Sequence, residues 1–305
     1  MKRKLALVCA AAMMLSLAAC GSSSSTASTV TSSSEAASAT GDFDLSQYIT
    51  VVTREEGSGT RDAFVELTGV EEKNADGVKV DNTTEGAATQ NSTNGVMTTV
   101  ANDETAIGYI SLGSLNDTVK AVTVGGVAPS AATVQDGSYT LARPFNIVTA
   151  GEPTDPVAAD FLGFCLSADG QALATEKGYI GGAGADYTSA QPSGKITVGG
   201  SSSVSPLMEK LIEAYKTVNP NADIELLATD STTGVANALD GTYTIGMASR
   251  ELKDSEVEKG ATATVLAMDG IAVVVNNANT VADLTTETIK GIYVGEIETW
   301  ADAQG

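Results

Sequence analysis

Histidine is missing altogether from the 305 residues. Without imidazole there is no Ser-His-Asp triad, no histidine general base and no histidine-ligated metal centre. Cysteine is scarce, with three residues at positions 9, 20 and 165, so Cys-rich metal sites are excluded as well. Basic residues are outnumbered: 17 Lys and Arg stand against 38 Asp and Glu, a formal net charge of -21. A surface this acidic is a poor match for nucleic acid or an anionic membrane. After the first twenty residues no apolar run is long enough to span a bilayer, which takes ~20 residues. The abundant carboxylates leave a carboxylate-only metal or glycosidase site open on composition alone.

The N-terminus has the layout of an export signal. Lys2, Arg3 and Lys4 precede an apolar run over 5–17, and Leu17-Ala18-Ala19-Cys20 follows, a set of small residues at the expected cleavage point. A cysteine directly after them resembles a bacterial lipobox, so residues 1–19 are expected to be removed and Cys20 lipidated. Cys9 then leaves with the signal, only Cys165 remains inside the folded part, and no internal disulfide is possible. Cys165, in Phe161-Leu162-Gly163-Phe164-Cys165-Leu166, reads as a small core hydrophobe. Residues 20–42 are almost wholly Ser, Thr, Ala and Gly. Such a stretch buries too little apolar surface to offset its ordering entropy and reads as a tether.

About 260 residues remain, enough for two lobes of ordinary size. Strand patterns at 49–52, 106–110, 146–149, 196–198, 224–227, 244–248 and 271–275 alternate with helical ones at 61–67, 156–166 (continuing toward 177), 206–218, 235–240 and 285–293. The alternation predicts an α/β fold with helices flanking mixed or parallel sheets.

Three strand-to-helix junctions share one character. They are Arg54-Glu55-Glu56-Gly57-Ser58-Gly59-Thr60, Gly199-Gly200-Ser201-Ser202-Ser203-Val204-Ser205 before Pro206, and Asp230-Ser231-Thr232-Thr233-Gly234. Each sets hydroxyls and glycine just ahead of a helix, whose first N–H groups lack partners and carry partial positive charge. Glycine lets backbone approach a ligand closely, and each hydroxyl donates one hydrogen bond. Arg54 adds a planar charged fork for paired oxygens, with Glu56 expected to hold it in place. Neither glycine-rich loop has the lysine of a Walker motif, and Gly57-Ser58-Gly59 lacks the spacing of a nucleophile elbow. Three such loops on one cleft predict an oxyanion site. The acidic net charge does not oppose this, because charges beyond ~8 Å are largely screened at physiological salt.

The residues from Arg54 to Thr60, from Gly199 to Pro206 and from Gly246 to Lys253 resemble the phosphate-binding proteins of bacterial phosphate ABC importers. The likeness extends through Ala106-Ile107-Gly108-Tyr109-Ile110, Arg143-Pro144-Phe145 and Ile297-Glu298-Thr299-Trp300. It implies a two-lobed periplasmic-binding-protein-like fold of type II with two hinge crossings, near 142–143 and 274–276. One lobe would combine 43–142 with 276–305, and the other would be 143–275. The resemblance implies phosphate contacts from Arg54, Ser58, Gly59 and Thr60 on one side. On the other it implies the Ser202 hydroxyl, the Ser203 N–H and Thr232, with Ser231 as the alternative and Ser201 in support. It also implies a lipid-anchored extracytoplasmic monomer that feeds an ABC permease, with no catalysis, cofactor, metal or nucleic acid. Sulfate or molybdate binding, an extracellular phosphate-ester hydrolase and a surface adhesin or sensor are the competing classes.

Two departures stand out. Family members usually reach the arginine loop last, whereas here it comes first, as in a circular permutation, which surface loops tolerate. Arg250 stands where the family pattern has an aspartate that accepts the proton of monohydrogen phosphate. Either Arg250 points away and Glu56 or Asp230 reads that proton, or discrimination is weaker.

Overall fold

The computed structural model describes residues 43–304. The expected signal over 1–19, Cys9, the lipidation site Cys20 and the tether over 20–42 lie outside the described residues. No helix among the described residues is long and apolar enough to cross a membrane.

One nine-stranded sheet runs through the body. Thr50–Arg54 lies parallel to Ala88–Gln90 on one side and to Ala106–Ser111 on the other. The fifteen-residue strand Ala261–Val275 then makes the join: its residues 271–275 pair antiparallel with Ala106–Ser111, while its residues 261–270 pair antiparallel with Ala142–Ala150. Beyond that, Ile245–Ala248, Gly194–Ser201 and Ala222–Thr229 continue the sheet, the last two pairings being parallel.

Strand periodicity decides where the cores form, because alternate side chains point to opposite faces. Ile271, Val273 and Val275 join Phe64, Tyr109, Tyr293 and Trp300 on one face. Ala272 and Val274 join Val52, Val96, Met97 and Val100 on the other. Ala106–Ser111 is buried along its whole length, as a strand covered on both faces must be. The second half repeats the plan. Phe145, Ile147, Phe161, Phe164, Val198, Leu207, Leu211 and Tyr215 fill one face, and Val148, Val235, Ala238 and Ala248 the other. Helix Ser205–Val218 supplies Leu207, Met208, Leu211, Ile212 and Tyr215, a single apolar stripe.

Two expectations need correction. Residues 271–275 ladder onto Ala106–Ser111 and pack in the first half, so the second crossing falls between Gly270 and Ile271 and not at 274–276. The helix expected to run from 156 toward 177 is two helices, Pro156–Cys165 and Ala168–Glu176. Ser167 caps the second by accepting from Gly170 N at 3.1 Å. A Cβ on Gly170 would lie 2.3 Å from Phe164 O, so the chain folds back too tightly for one rod. Cys165 is fully buried, and burial pushes its thiol far above the ordinary range.

The two crossing strands carry a buried ion pair. Arg143 and Asp269 face each other in register, with Nη2 3.2 Å from Oδ2. Ser111 Oγ donates to Asp269 Oδ1 at 3.0 Å, and the guanidinium lies over the Phe145 ring. Among the described residues Arg143 Nε and Nη1 have no hydrogen-bond partner. Burial dominates: it raises the Asp269 carboxyl from its ordinary 3.8 to about 6, with Arg143 pulling the other way.

The folded chain therefore keeps a proton on Asp269 over a range where the unfolded chain has released it. This group's contribution to stability is complete below about pH 4 and is lost as pH rises through about 6. The lowered carboxylates Asp81, Asp103, Asp160 and Glu256 act in the opposite sense, at lower pH. Melting temperature followed upward from mid-acid to neutral pH should carry a component that declines through about 6, and Asp269→Asn should flatten it. An unchanged profile in the variant would count against this assignment.

Candidate anion-binding site

The first junction leaves the sheet at Arg54. Gly57 has φ +90°, a left-handed conformation that suits glycine, and a Cβ there would lie 2.9 Å from Asp230 Oδ1. Ser58 caps helix Gly59–Thr68 by accepting from Arg61 N. Arg54 is buried, and its Nε and Nη2 each donate at 2.7 Å to the two carboxylate oxygens of Glu55. The expected partner was Glu56, and that is wrong. Glu55 N donates to Gln90 O, the same carbonyl that accepts from Arg54 Nε, so Glu55 is held beside the guanidinium while Glu56 enters the turn exposed.

The other two junctions meet the first from the second half of the body. Gly200 has φ +137°, and a Cβ there would lie 2.3 Å from Met247 O, which fixes glycine at that point. Ser202 Oγ accepts from Arg54 Nη2 at 3.2 Å. Ser203 Oγ is 2.8 Å from Thr60 Oγ1 and 3.1 Å from Thr93 Oγ1, and Ser203 N donates to Ser201 Oγ at 3.3 Å. Ser201 Oγ in turn donates to Ser249 Oγ at 2.9 Å. At the third junction Asp230 caps helix Ser231–Leu239. Ser231 Oγ accepts from Ser249 N at 3.0 Å. Gly59 comes so near that a Cβ on it would lie 2.4 Å from Ser231 Oγ and 2.9 Å from Ser249 Oγ.

The structure thus brings Arg54, Ser58, Gly59, Thr60, Ser201, Ser202, Ser203 and Ser231 to one place. Thr232 is beside them with its groups engaged: both its N and its Oγ1 donate to Gly57 O, at 3.1 and 3.2 Å, and Oγ1 accepts from Arg250 Nη2. Between the two alternatives it is Ser231 that keeps an available amide. Among the described residues, the amides of Gly59, Thr60 and Ser231, and Arg54 Nη1, donate to no protein acceptor. These are helix-start N–H groups and one charged fork, the donors a compact oxyanion takes.

Arg250 turns away from this set. Nη1 and Nη2 each donate at 2.8 Å to Glu256, and Nε lies 3.0 Å from Asp62 Oδ2. Both expected proton readers are also elsewhere: Glu56 is exposed, and Asp230 accepts from Thr233 N and Oγ1 at 2.8 and 2.6 Å. Ser249 and Thr93 were missed. Thr93 follows Ser92, the cap of helix Thr93–Asn102, so it repeats the signal of hydroxyls ahead of a helix. Ser249 directly follows strand Ile245–Ala248 and had no such marker. Among the described residues no group of His, Cys, Asp and Glu could hold a metal ion.

Two cores on one sheet, joined by two crossing strands with convergent donors between them, define a binding protein of the periplasmic type. Residues 29–169 and 185–305 match the family model described as a PBP superfamily domain. Phosphate-binding protein PstS 2 of Streptococcus agalactiae serotype V is 49% identical over 255 residues, 83% of this chain and 87% of that protein. PstS 2 of Streptococcus pneumoniae serotype 4 is 44% identical over 265 residues, 86% and 90% of the two chains. A crystal structure of a phosphate-binding protein of a phosphate ABC transporter from Streptococcus pneumoniae has TM-score 0.67 at 44% identity, covering 84% of this chain and 100% of that one. The chain belongs to the PstS family of phosphate-binding proteins. A match of 255 residues in 305 spans both the arginine loop and the serine loops, so these relatives share the arginine-first order.

Gly59 is the tightest point of the convergence. Because it starts a helix with an ordinary backbone angle, Gly59→Ala should leave the fold and its melting temperature intact while keeping the two halves apart. Small-angle scattering of the variant should report a larger radius of gyration than the parent, and equal radii would remove the close approach from the argument.

Proposed function

We propose that this protein captures inorganic phosphate in the cleft between two lobes and delivers it to the permease of an ABC importer. The observation that carries the reading is the set of unpaired amides at Gly59, Thr60 and Ser231, gathered with Arg54 Nη1 around one buried point. Arg54, Ser58, Gly59 and Thr60 serve from a lobe formed by 43–142 and 271–305, and Ser202 and Ser231 from 143–270, while Ser203, whose expected N–H donates to Ser201 Oγ, bonds Thr60 across the cleft. Thr232 fastens the lobes through Gly57 O.

The reading is of a carrier and not an enzyme. The site offers hydroxyls but no imidazole to activate them. A lipid on Cys20 holds the chain at the outer face of the membrane, where the ligand arrives, and the chain works as a monomer. Replacing Cys20 with Ser should move the protein from the membrane fraction to the soluble one.

Sulfate is the second reading worth testing, because Arg250 occupies the place of an acceptor that would repel it. Equilibrium binding with competition decides: tight phosphate binding that excess sulfate leaves unchanged supports phosphate capture. Loss of the label to equimolar sulfate, or turnover of a chromogenic phosphate ester, would overturn it. Arg54→Met should weaken phosphate binding about a hundredfold, and Ser58→Ala about tenfold, since hydrogen bonds to charged groups contribute ~1.5–3 kcal/mol.

A further inference from the structure

Asp62 sits two residues past Thr60 on the ten-residue helix that begins at Gly59, so it moves rigidly with the Ser58 and Thr60 donors. Its Oδ2 lies 3.0 Å from Arg250 Nε and 3.0 Å from Lys253 Nζ, and both cations belong to the other half of the body. Arg250 is prepared for this contact within its own half. Glu256 takes Nη1 and Nη2 at 2.8 Å each and also accepts from Lys253 N at 2.9 Å, which fixes the fork with Nε turned toward Asp62. Arg250 Nε and Asp62 Oδ2 touch as charges, out of line for a hydrogen bond.

None of these groups offers a donor to the anion pocket. Their contact joins the two halves all the same, whereas the buried residues of each apolar core come from one half, with Ile180 of the second half packed at the edge of the first. Around the anion pocket the halves meet through polar pairs such as Thr60 with Ser203 and Gly57 with Thr232, which separate without exposing a hydrophobic face. Among these pairs, only the one at Asp62 sets a carboxylate of one half against cations of the other. It borders a cavity of about 770 Å³ lined by Asp62, Arg250, Lys253 and Glu66; Asp62 Oδ2 and Arg250 Nε are buried, while Lys253 is half exposed, so salt acts on the contact through its Lys253 arm.

We propose that Asp62 is a positioning residue for ligand retention: its ionic contact with Arg250 and Lys253 holds the closed form and sets how slowly phosphate leaves. The contact forms only when the halves meet, so it adds to the closed state and nothing to the open one, and its effect falls on departure of the ligand. This rests on the phosphate reading of the site. It also gives Arg250 a role other than that of a ligand.

The experiment compares the parent chain with Asp62→Asn and Lys253→Met in two ways. Release of radiolabelled inorganic phosphate into excess unlabelled phosphate should be faster by about tenfold in Asp62→Asn and by less in Lys253→Met, with association rates close to the parent's. Raising the salt concentration should speed release from the parent and hardly alter Asp62→Asn, a response that a purely structural role would not give. The second readout is small-angle scattering without ligand, in which Asp62→Asn should be more open than the parent. A parent that retains no label would refute the phosphate reading, while the scattering arm still decides the contact. Parent-like release and scattering from Asp62→Asn would overturn the proposal.

Discussion

Burying a backbone N–H without an acceptor costs on the order of 1–3 kcal/mol, and the closed body gathers several such groups at one point. The amides of Gly59, Thr60 and Ser231 start helices, so no intrahelical carbonyl can satisfy them. With an anion between the halves each gains a charged acceptor, and with the halves apart each gains water. The closed, empty arrangement is the one that leaves them without either. This asymmetry couples closure to occupancy by shifting the population toward the closed form when an anion is present, and it needs no switch beyond the helix starts themselves.

The sheet makes that convergence possible. Were each half a separate sheet on a flexible linker, the loops would have to find one another through many orientations. Instead the long strand Ala261–Val275 runs through the boundary, pairing with Ala142–Ala150 on one side of Gly270 and with Ala106–Ser111 on the other. A Cβ on Gly270 would lie 3.0 Å from Val134 and 3.2 Å from Leu112, so the strands cross close under their neighbours. Arg143 and Asp269 occupy the same crossing, a charged pair in register where an apolar pair would pack more cheaply. The polar crossing and the polar contacts around the pocket belong together, since both join side chains by charge and hydrogen bonds.

Most of this architecture was legible because the apolar spacing of residues 106–110, 196–198 and 271–275 is unambiguous, and Pro206 marks its helix start. The three junctions were legible for the same reason that they function, since hydroxyl and glycine ahead of a helix form a local signal. What could not be read was pairing in space. Glu55 and Glu56 are equally good partners for Arg54 on paper. The choice between them depends on Gln90 O, thirty-six residues away, which anchors both Arg54 Nε and Glu55 N. Ser231 and Thr232 differ only in which of them meets Gly57 O. The crossing expected at 274–276 lies five residues too late because residues 271–275 are apolar on both faces, and periodicity does not say which half supplies the neighbours. Residues 166–168 were read through because a serine cap inside an apolar run weakens a helical pattern without abolishing it.

The net charge of -21 poses the last question, since a carrier of anions should not itself repel them. The charges around the site answer it pair by pair. Arg54 is matched by Glu55, and Arg250 and Lys253 by Glu256 and Asp62. Near neutrality at the pocket leaves the aligned amides and hydroxyls to provide the local attraction, and their dipoles act over a few ångströms. The remaining carboxylates lie mostly in water, where charges more than a Debye length of ~8 Å from the pocket are largely screened. Acidity of the surface therefore weighs on the approach of the ligand more than on its capture. The consequence is that retention depends on whatever keeps the short-range donors together, which places the weight on interlobe contacts such as Gly57 with Thr232 and Asp62 with Arg250, and not on any excess of positive charge.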